Sequence, residues 1–282
     1  MKAAAPQSPI ASQTPSELDQ PGGVAAVWGK HWQAFDDARL ESTYQRQTQS
    51  VPWYRRPFVC GPHDELAFLR PHLGNLAGLR TLEFGSGIGW TSLWLARAGA
   101  QVTVADISPE AVRLSQQAFA RAGCHARWHE ASVFEPDSVP GTFDLVFNSG
   151  LIEHFHREQQ EQLVCNMAQR TKPGGHVAIF APYAGGRLYV WAKRRLEELG
   201  RWRFGDEFPL HTMRDLGPIA GLDCLDEQTC KPGDQWNFLA GVHPQLAKLG
   251  KLANLLTLGD TTPLWRWCLG DAMLSTLFKK PG

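Results

Sequence analysis

The chain has 282 residues, 43% of them apolar, with 28 Lys plus Arg against 28 Asp plus Glu. That is enough apolar material for a sizeable core, in one large domain or one domain with an appendage, and the zero formal charge removes the electrostatic reason to expect a nucleic-acid partner. No run of about eighteen apolar residues offers a membrane span, and the six cysteines lack a C-x-x-C pair, which argues against a zinc knuckle or dithiol site and for a reducing, cytoplasmic setting.

Residues 1–23 are rich in Ala, Pro, Ser and Gln and have no apolar h-region, so they read as a disordered tail rather than a secretory signal. Residues 24–78 form an N-terminal helical or lid region. Within it, "VAAVWGKHWQAFDDARLESTYQRQ" reads as a helix with Val24, Val27, Trp28 and Trp32 on one face. Pro52, Pro57 and Pro62 break the following segment into a loop, and "HDELAFLRPHLGNLAG" is a helix leading to the first strand.

From Leu79 a rhythm sets in. "LRTLEF", "AQVTVADIS", "HARWHE", "FDLVFNSG" and "GGHVAIFAP" read as strands, with "TSLWLARAG", "PEAVRLSQQAFARAG" and "REQQEQLVCNMAQRT" as helices between them. Strands alternating with helices mean βαβ units and a parallel sheet, whose ligands bind outside the carboxyl ends of the strands. The rhythm breaks after Pro182, where a lid insertion is expected at about 183–218, containing the basic, amphipathic "GGRLYVWAKRRLEELGRW". "CLDEQTCKPGDQWNFLAGVH" reads as an antiparallel hairpin closing the sheet. The domain is therefore expected over 79–243, and 244–282 is expected to form two helices.

"LEFGSGIGW" places three glycines at alternate positions directly after the first strand. Such density costs backbone entropy, so something must need a backbone without side chains. A bare tight turn is one reading, but Asp106 at the end of the second strand is placed to hydrogen-bond ribose hydroxyls. A nicotinamide dinucleotide site is another. Against it, Gly89 comes one residue early for G-x-G-x-x-G, Trp90 is a poor neighbour for pyrophosphate, and Glu83 would repel phosphate while receiving an ammonium group.

The run "EFGSGIG" resembles the first motif, E/D-x-G-x-G-x-G, of the class I S-adenosylmethionine-dependent methyltransferases. "EASVFEP", "FDLVFNSGLIEHF" and "TKPGGHVAIFAP" are similar to that family's later segments, in the same order, and the resemblance covers about residues 60–243. It implies a three-layer, doubly wound α/β fold with a seven-stranded, mostly parallel sheet and an antiparallel terminal strand, here with helical N- and C-terminal additions. It implies S-adenosyl-L-methionine as cofactor, held by Glu83, Gly85, Ser86, Gly87, Gly89, Asp106, Ile107, Ser132, Val133 and Asn148. Ser132 stands where the family usually has Asp, which weakens the adenine-amine contact there, and Val133 would offer a backbone N–H to the ring. The expected activity is methyl transfer to O or N of a small-molecule or lipid-like acceptor. A non-catalytic cofactor-binding protein has the same motifs.

Methyl transfer from a sulfonium requires alignment and dryness more than a conspicuous catalytic group. A base is needed only for a poor nucleophile such as a hydroxyl, and His154 and His211 are the candidates. Glu153 and His154, with His211 as a third ligand, form too small a set to assign a metal. Trp53, Tyr54, Tyr183, Trp191 and Trp202 are candidates to line the acceptor pocket, and Arg55 and Arg56 could meet a carboxylate. Leu264, Trp265, Trp267, Leu269, Leu274, Leu277 and Phe278 are expected to pack on the core, with a dimer interface or a membrane surface as their other uses.

Overall fold

The computed structural model describes residues 23–48, 61–243, 245–246, 248–250, 252 and 263–282. The tail before Gly23, and the loop that carries Trp53, Tyr54, Arg55 and Arg56, lie outside the described residues.

Seven strands alternate with helices. They are β1 (Arg80–Phe84), β2 (Gln101–Asp106), β3 (Arg127–Glu130), β4 (Phe143–Ser149), β5 (Thr171–Pro182), β6 (Asp223–Cys230) and β7 (Met273–Lys279). They form one sheet in the order β3-β2-β1-β4-β5-β7-β6. The pairs from β3 through β5 are parallel, and β7 runs antiparallel to both of its neighbours.

The helices before the sheet are α1 (Val24–Gln33), α2 (Asp37–Thr48) and α3 (Pro62–Leu73). Between strands come α4 (Trp90–Arg97), α5 (Pro109–Arg121), α6 (Arg157–Arg170), α7 (Arg187–Glu198) and α8 (Leu216–Ile219). The short α9 (Leu239–Val242) and α10 (Pro263–Leu269) follow β6. Alternation along the strands sends side chains to two separate cores. Leu82, Phe84, Val146 and Ile179 pack with Leu163 and Met167 of α6, while Leu145, Phe147 and Phe180 pack with Leu69 of α3 and Leu93 of α4. That is the three-layer arrangement expected, and it brings the carboxyl ends of β1, β2 and β4 to one edge. Among the described residues no helix is long and apolar enough to cross a membrane.

Three expectations need correction. The N-terminal segment is two helices, because the chain turns at Ala34–Asp36, where the Asp36 carboxylate accepts a hydrogen bond from the Arg39 amide and restarts the helix. The hairpin after β6 is absent. Lys231 takes a left-handed conformation (φ 62°), and Pro232–Phe238 coil into a 3₁₀ helix. Its antiparallel partner is instead β7, built from "MLSTLFK", which was read as helix. Leu274, Leu277 and Phe278 are indeed buried, but as a strand inserted between β5 and β6. The sheet is therefore completed by residues beyond 243.

Candidate active site

A cavity of about 350 Å³ opens at the carboxyl edge of the sheet, within the range of small-molecule sites. One wall is made by the strand-end turns. Gly85, Gly87 and Gly89 all have positive φ (61°, 53° and 74°), which L side chains rarely adopt. At Gly85 a β-carbon would come 2.7 Å from Leu151 Cδ1, and at Gly87 it would come 2.6 Å from the Trp32 ring. Both glycines thus lie under apolar side chains from outside the turn. Gly89 caps α4 and has only ordinary contacts around it, so its task is the change of direction.

Asp106 ties the turn down. Its Oδ2 accepts from the Gly87 amide at 2.7 Å and its Oδ1 from the Ser108 amide at 2.9 Å. Burial pushes its carboxyl up from the ordinary value, and those two amides pull it back. Ile107, Ser132 and Val133 continue this wall. The Ser132 hydroxyl accepts from the Phe134 amide at 3.1 Å, which fixes the bend after β3.

Four of the expected residues lie off the cavity wall. Glu83 is buried beneath the turn, with its Oε2 lacking a hydrogen-bond partner. Burial raises its carboxyl to about 8, against the pull of the Ser92 side chain beside it. Gly89 faces the core. Asn148 points into the α6 layer, where its Nδ2 lies 3.2 Å from Met167 Sδ, because alternation along β4 turns position 148 away and Ser149 toward the cavity. His211 is exposed and stands edge-on to Tyr183 at 5.9 Å.

The facing wall comes from elsewhere in the chain. It includes Trp28 and Trp32 of α1, Phe134, Phe155, Tyr189 of α7, and Phe204 and Phe238. Trp28 stacks on Trp32 at 5.7 Å and packs edge-on against His154 at 5.4 Å. His154 sits in the 3₁₀ turn after β4, lines the cavity and is buried. Its Nδ1 lies 2.9 Å from the Asp206 carbonyl oxygen, which can only accept. The proton is therefore on Nδ1, and the neutral ring keeps its lone pair on Nε2. Burial lowers its pKa, with the Asp206 carbonyl opposing.

Composition and spacing did not single out Tyr189, Glu207 or Glu65. The Tyr189 hydroxyl donates to Glu207 Oε2 at 2.5 Å, and both residues line the cavity. Burial raises Glu207 to about 7 and Glu153 to about 8, the latter helped by the charge of Glu207. Glu65 of α3 accepts from Thr91 Oγ1 at 2.5 Å and from Ser149 Oγ at 2.6 Å, bracing the ends of β4 and α4. Of the aromatic candidates, Trp191 is half exposed, and both it and Tyr183 face a different groove. Among the described residues no group of three His, Cys, Asp or Glu is arranged to hold a metal.

A strand order of 3-2-1-4-5-7-6, with a glycine turn after the first strand and an acid ending the second, meets a matching family model over residues 81–175, described as a methyltransferase domain. Over residues 81–175 the chain matches a methyltransferase domain, and its sheet has the fold of the class I methyltransferases. A ubiquinone biosynthesis O-methyltransferase of Ralstonia nicotianae is 33% identical over 118 residues, covering 42% of this chain and 49% of the relative. The chain spans about half the length of the curated relatives it matches. Among solved structures, the magnesium protoporphyrin IX methyltransferase of Synechocystis with bound SAH aligns at TM-score 0.56 and 16% identity, over 90% of this chain and 99% of that one. A phosphoethanolamine N-methyltransferase of Haemonchus contortus aligns at 0.59 and 18%, over 92% and 60%. At such identities these two likenesses carry the fold alone. The nicotinamide reading of the glycine turn finds no support in them.

Proposed function

We propose that the protein is an S-adenosylmethionine-dependent methyltransferase acting on an oxygen of a small, largely apolar acceptor. One observation carries the reading: a single cavity joins the glycine turn and strand ends to an aromatic wall that presents His154. The likeness to a ubiquinone biosynthesis O-methyltransferase favours oxygen over nitrogen.

The donor wall fits the cofactor. Gly85 and Gly87 leave a bare backbone, and Asp106 and Ile107 stand at the end of β2 on the same cavity. Asp106 would take the ribose hydroxyls, and the Ser132–Val133 segment would flank the adenine. Glu83, lying beneath the turn, supports it from below rather than from the cavity surface. S-adenosylmethionine supplies, when bound, a methyl group on a positively charged sulfur.

The chain's own residues then have three tasks. Trp28, Tyr189, Phe204 and Phe238 exclude water and orient an apolar acceptor, and alignment of this kind is worth roughly 7–11 kcal/mol. His154, its tautomer set by the Asp206 carbonyl, takes the hydroxyl proton on Nε2. Tyr189 and Glu207 hold each other by a hydrogen bond at the acceptor end of the cavity. The free thiols of Cys124, Cys165, Cys224 and Cys268 support a cytoplasmic location. The balanced charge supports a small-molecule rather than a nucleic-acid partner.

Calorimetry with S-adenosylmethionine, followed by a screen of hydroxylated aromatic acceptors with labelled donor, tests the reading. Donor binding with turnover on an oxygen supports it. Donor binding without turnover across the screen favours a non-catalytic binding protein, and failure to bind the donor overturns the reading.

A further inference from the structure

Helix α7 has two working faces. Tyr189, Ala192 and Leu196 turn inward and are buried, with Tyr189 reaching the cavity already described. Arg187, Trp191 and Arg194 follow at i, i+4 and i+7, which places them on another face. They line a separate groove of about 740 Å³, completed by Arg266 of α10 and by Asp271. Three guanidinium groups thus meet one carboxylate. Asp271 is already engaged by Arg266 at 3.1 Å and by the Thr229 hydroxyl at 2.6 Å, so it neutralises only Arg266. Arg187 and Arg194 leave a local positive excess on a chain whose overall charge is zero.

Apolar side chains are exposed in the groove and on the helix beside it. Trp191 is 50% exposed in the groove, and α10, which supplies Arg266, leaves Leu264 48% and Trp267 78% exposed. Leu264 and Trp267 are three apart, so they share one face of α10. These helices are joined through a pair of tryptophans. Trp236, from the 3₁₀ helix after β6, packs edge-on against Trp265 at 5.4 Å and belongs to the cluster of Ala192 and Leu239 that seats α7.

Indoles beside guanidiniums, with leucine exposed next to them, match the chemistry of a bilayer interface. The rings settle at headgroup level, and arginine meets anionic headgroups. A small anionic metabolite would use the three arginines but leave Trp267 and Leu264 without a purpose. We infer that α7 and α10 form a docking face for an anionic phospholipid bilayer, with headgroups taken in the groove of Arg187, Arg194 and Arg266 and with Trp191, Leu264 and Trp267 at the interface. Because α7 is also a wall of the acceptor cavity, docking would bring that cavity beside a reservoir of apolar compounds.

Vesicle flotation tests this with the full chain and needs neither donor nor acceptor, so its failure is separable from failure of the proposed methyl transfer. Wild type is expected to float with vesicles of phosphatidylcholine containing one third phosphatidylglycerol, and to float much less with phosphatidylcholine alone. R187Q/R194Q is expected to weaken anionic-vesicle binding about twenty-five-fold, taking roughly fivefold per surface guanidinium. W191F/W267F should lose most of the fluorescence quenching by brominated acyl chains. Circular dichroism and donor affinity should stay at wild-type values in both variants. Absence of wild-type binding overturns the inference, as does equal binding to neutral vesicles. So does a change of oligomeric state in R187Q/R194Q by sedimentation, which would assign the face to a second copy of the chain.

Discussion

The two walls of the cavity are built by opposite means. The wall proposed for the donor is backbone: a glycine turn, two amides held by Asp106 and a bend fixed by Ser132, all at the ends of β1, β2 and β3. The wall proposed for the acceptor is side chain: rings from α1, from the turn after β4, from α7 and its following loop, and from the segment after β6. A backbone wall suits a ligand that never changes. A side-chain wall, carried on additions outside the sheet, can be altered without disturbing the sheet, which is why one fold serves many acceptors.

The sharpest way to break that division is at Gly87. Valine there would have to adopt φ near 53° and would drive a β-carbon to 2.6 Å from the Trp32 ring. Gly87→Val is expected to lower donor affinity a hundredfold or more while circular dichroism stays native, because the strain is confined to one turn. Calorimetry decides. Normal donor affinity in this variant would make the turn a packing feature only.

On the facing wall the largest effect belongs to His154. His154→Ala should reduce kcat about a hundredfold with donor affinity close to wild type, the signature of a lost proton acceptor. His211→Ala should leave kcat unchanged, since that residue is exposed and off the cavity. In the wild type kcat should rise with pH through a pKa below 6.5, because burial favours the neutral ring, and should be flat above it. A rate independent of pH from 5 to 8, or full activity in His154→Ala, would leave alignment as the whole of catalysis.

Asp106 probes the donor wall more gently. Asp106→Ala removes the acceptor for the Gly87 and Ser108 amides together with the expected ribose contact. A loss of about 1–3 kcal/mol in donor binding is expected, the range for hydrogen bonds to a charged group. Unchanged affinity by calorimetry would remove Asp106 from the binding set.

The same contrast explains what the sequence disclosed. Gly85, Gly87, Asp106, Ser132 and Val133 sit in short motifs whose spacing is fixed by strand ends, so local pattern suffices to bring them to one cavity wall. Tyr189 and Glu207 lie 18 residues apart and meet only after α7 folds back over the sheet, and no local pattern marks such a pair. Asn148 lies off the cavity wall for a one-residue reason: on a strand, neighbours face opposite sides, and it is Ser149 that takes the cavity side. β7 was missed because "MLSTLFK" is apolar on both faces, as a strand inserted between two others must be, and periodicity alone does not separate that from a buried helix.

The smallest effect expected is on stability, and it compares the walls through their buried acids. Glu83 under the donor wall and Glu153 on the acceptor wall each rise from an ordinary 4.5 to about 8, mainly by burial. A carboxyl with a raised folded pKa binds more protons in the folded state than in the unfolded state between those values. Its contribution to stability is therefore complete below about 4.5 and is lost progressively as pH rises through about 8. Glu83→Gln keeps the shape and removes the titration, so urea midpoints measured at pH 5, 6.5 and 8.5 should fall less steeply with pH than in the wild type. Glu83→Gln/Glu153→Gln should flatten the dependence further, because the two acids lie on different walls and act independently. A Glu83→Gln profile parallel to that of the wild type would mean that Glu83 is ionised and partnered when the chain is free, and that the donor wall carries a charge there before any ligand arrives.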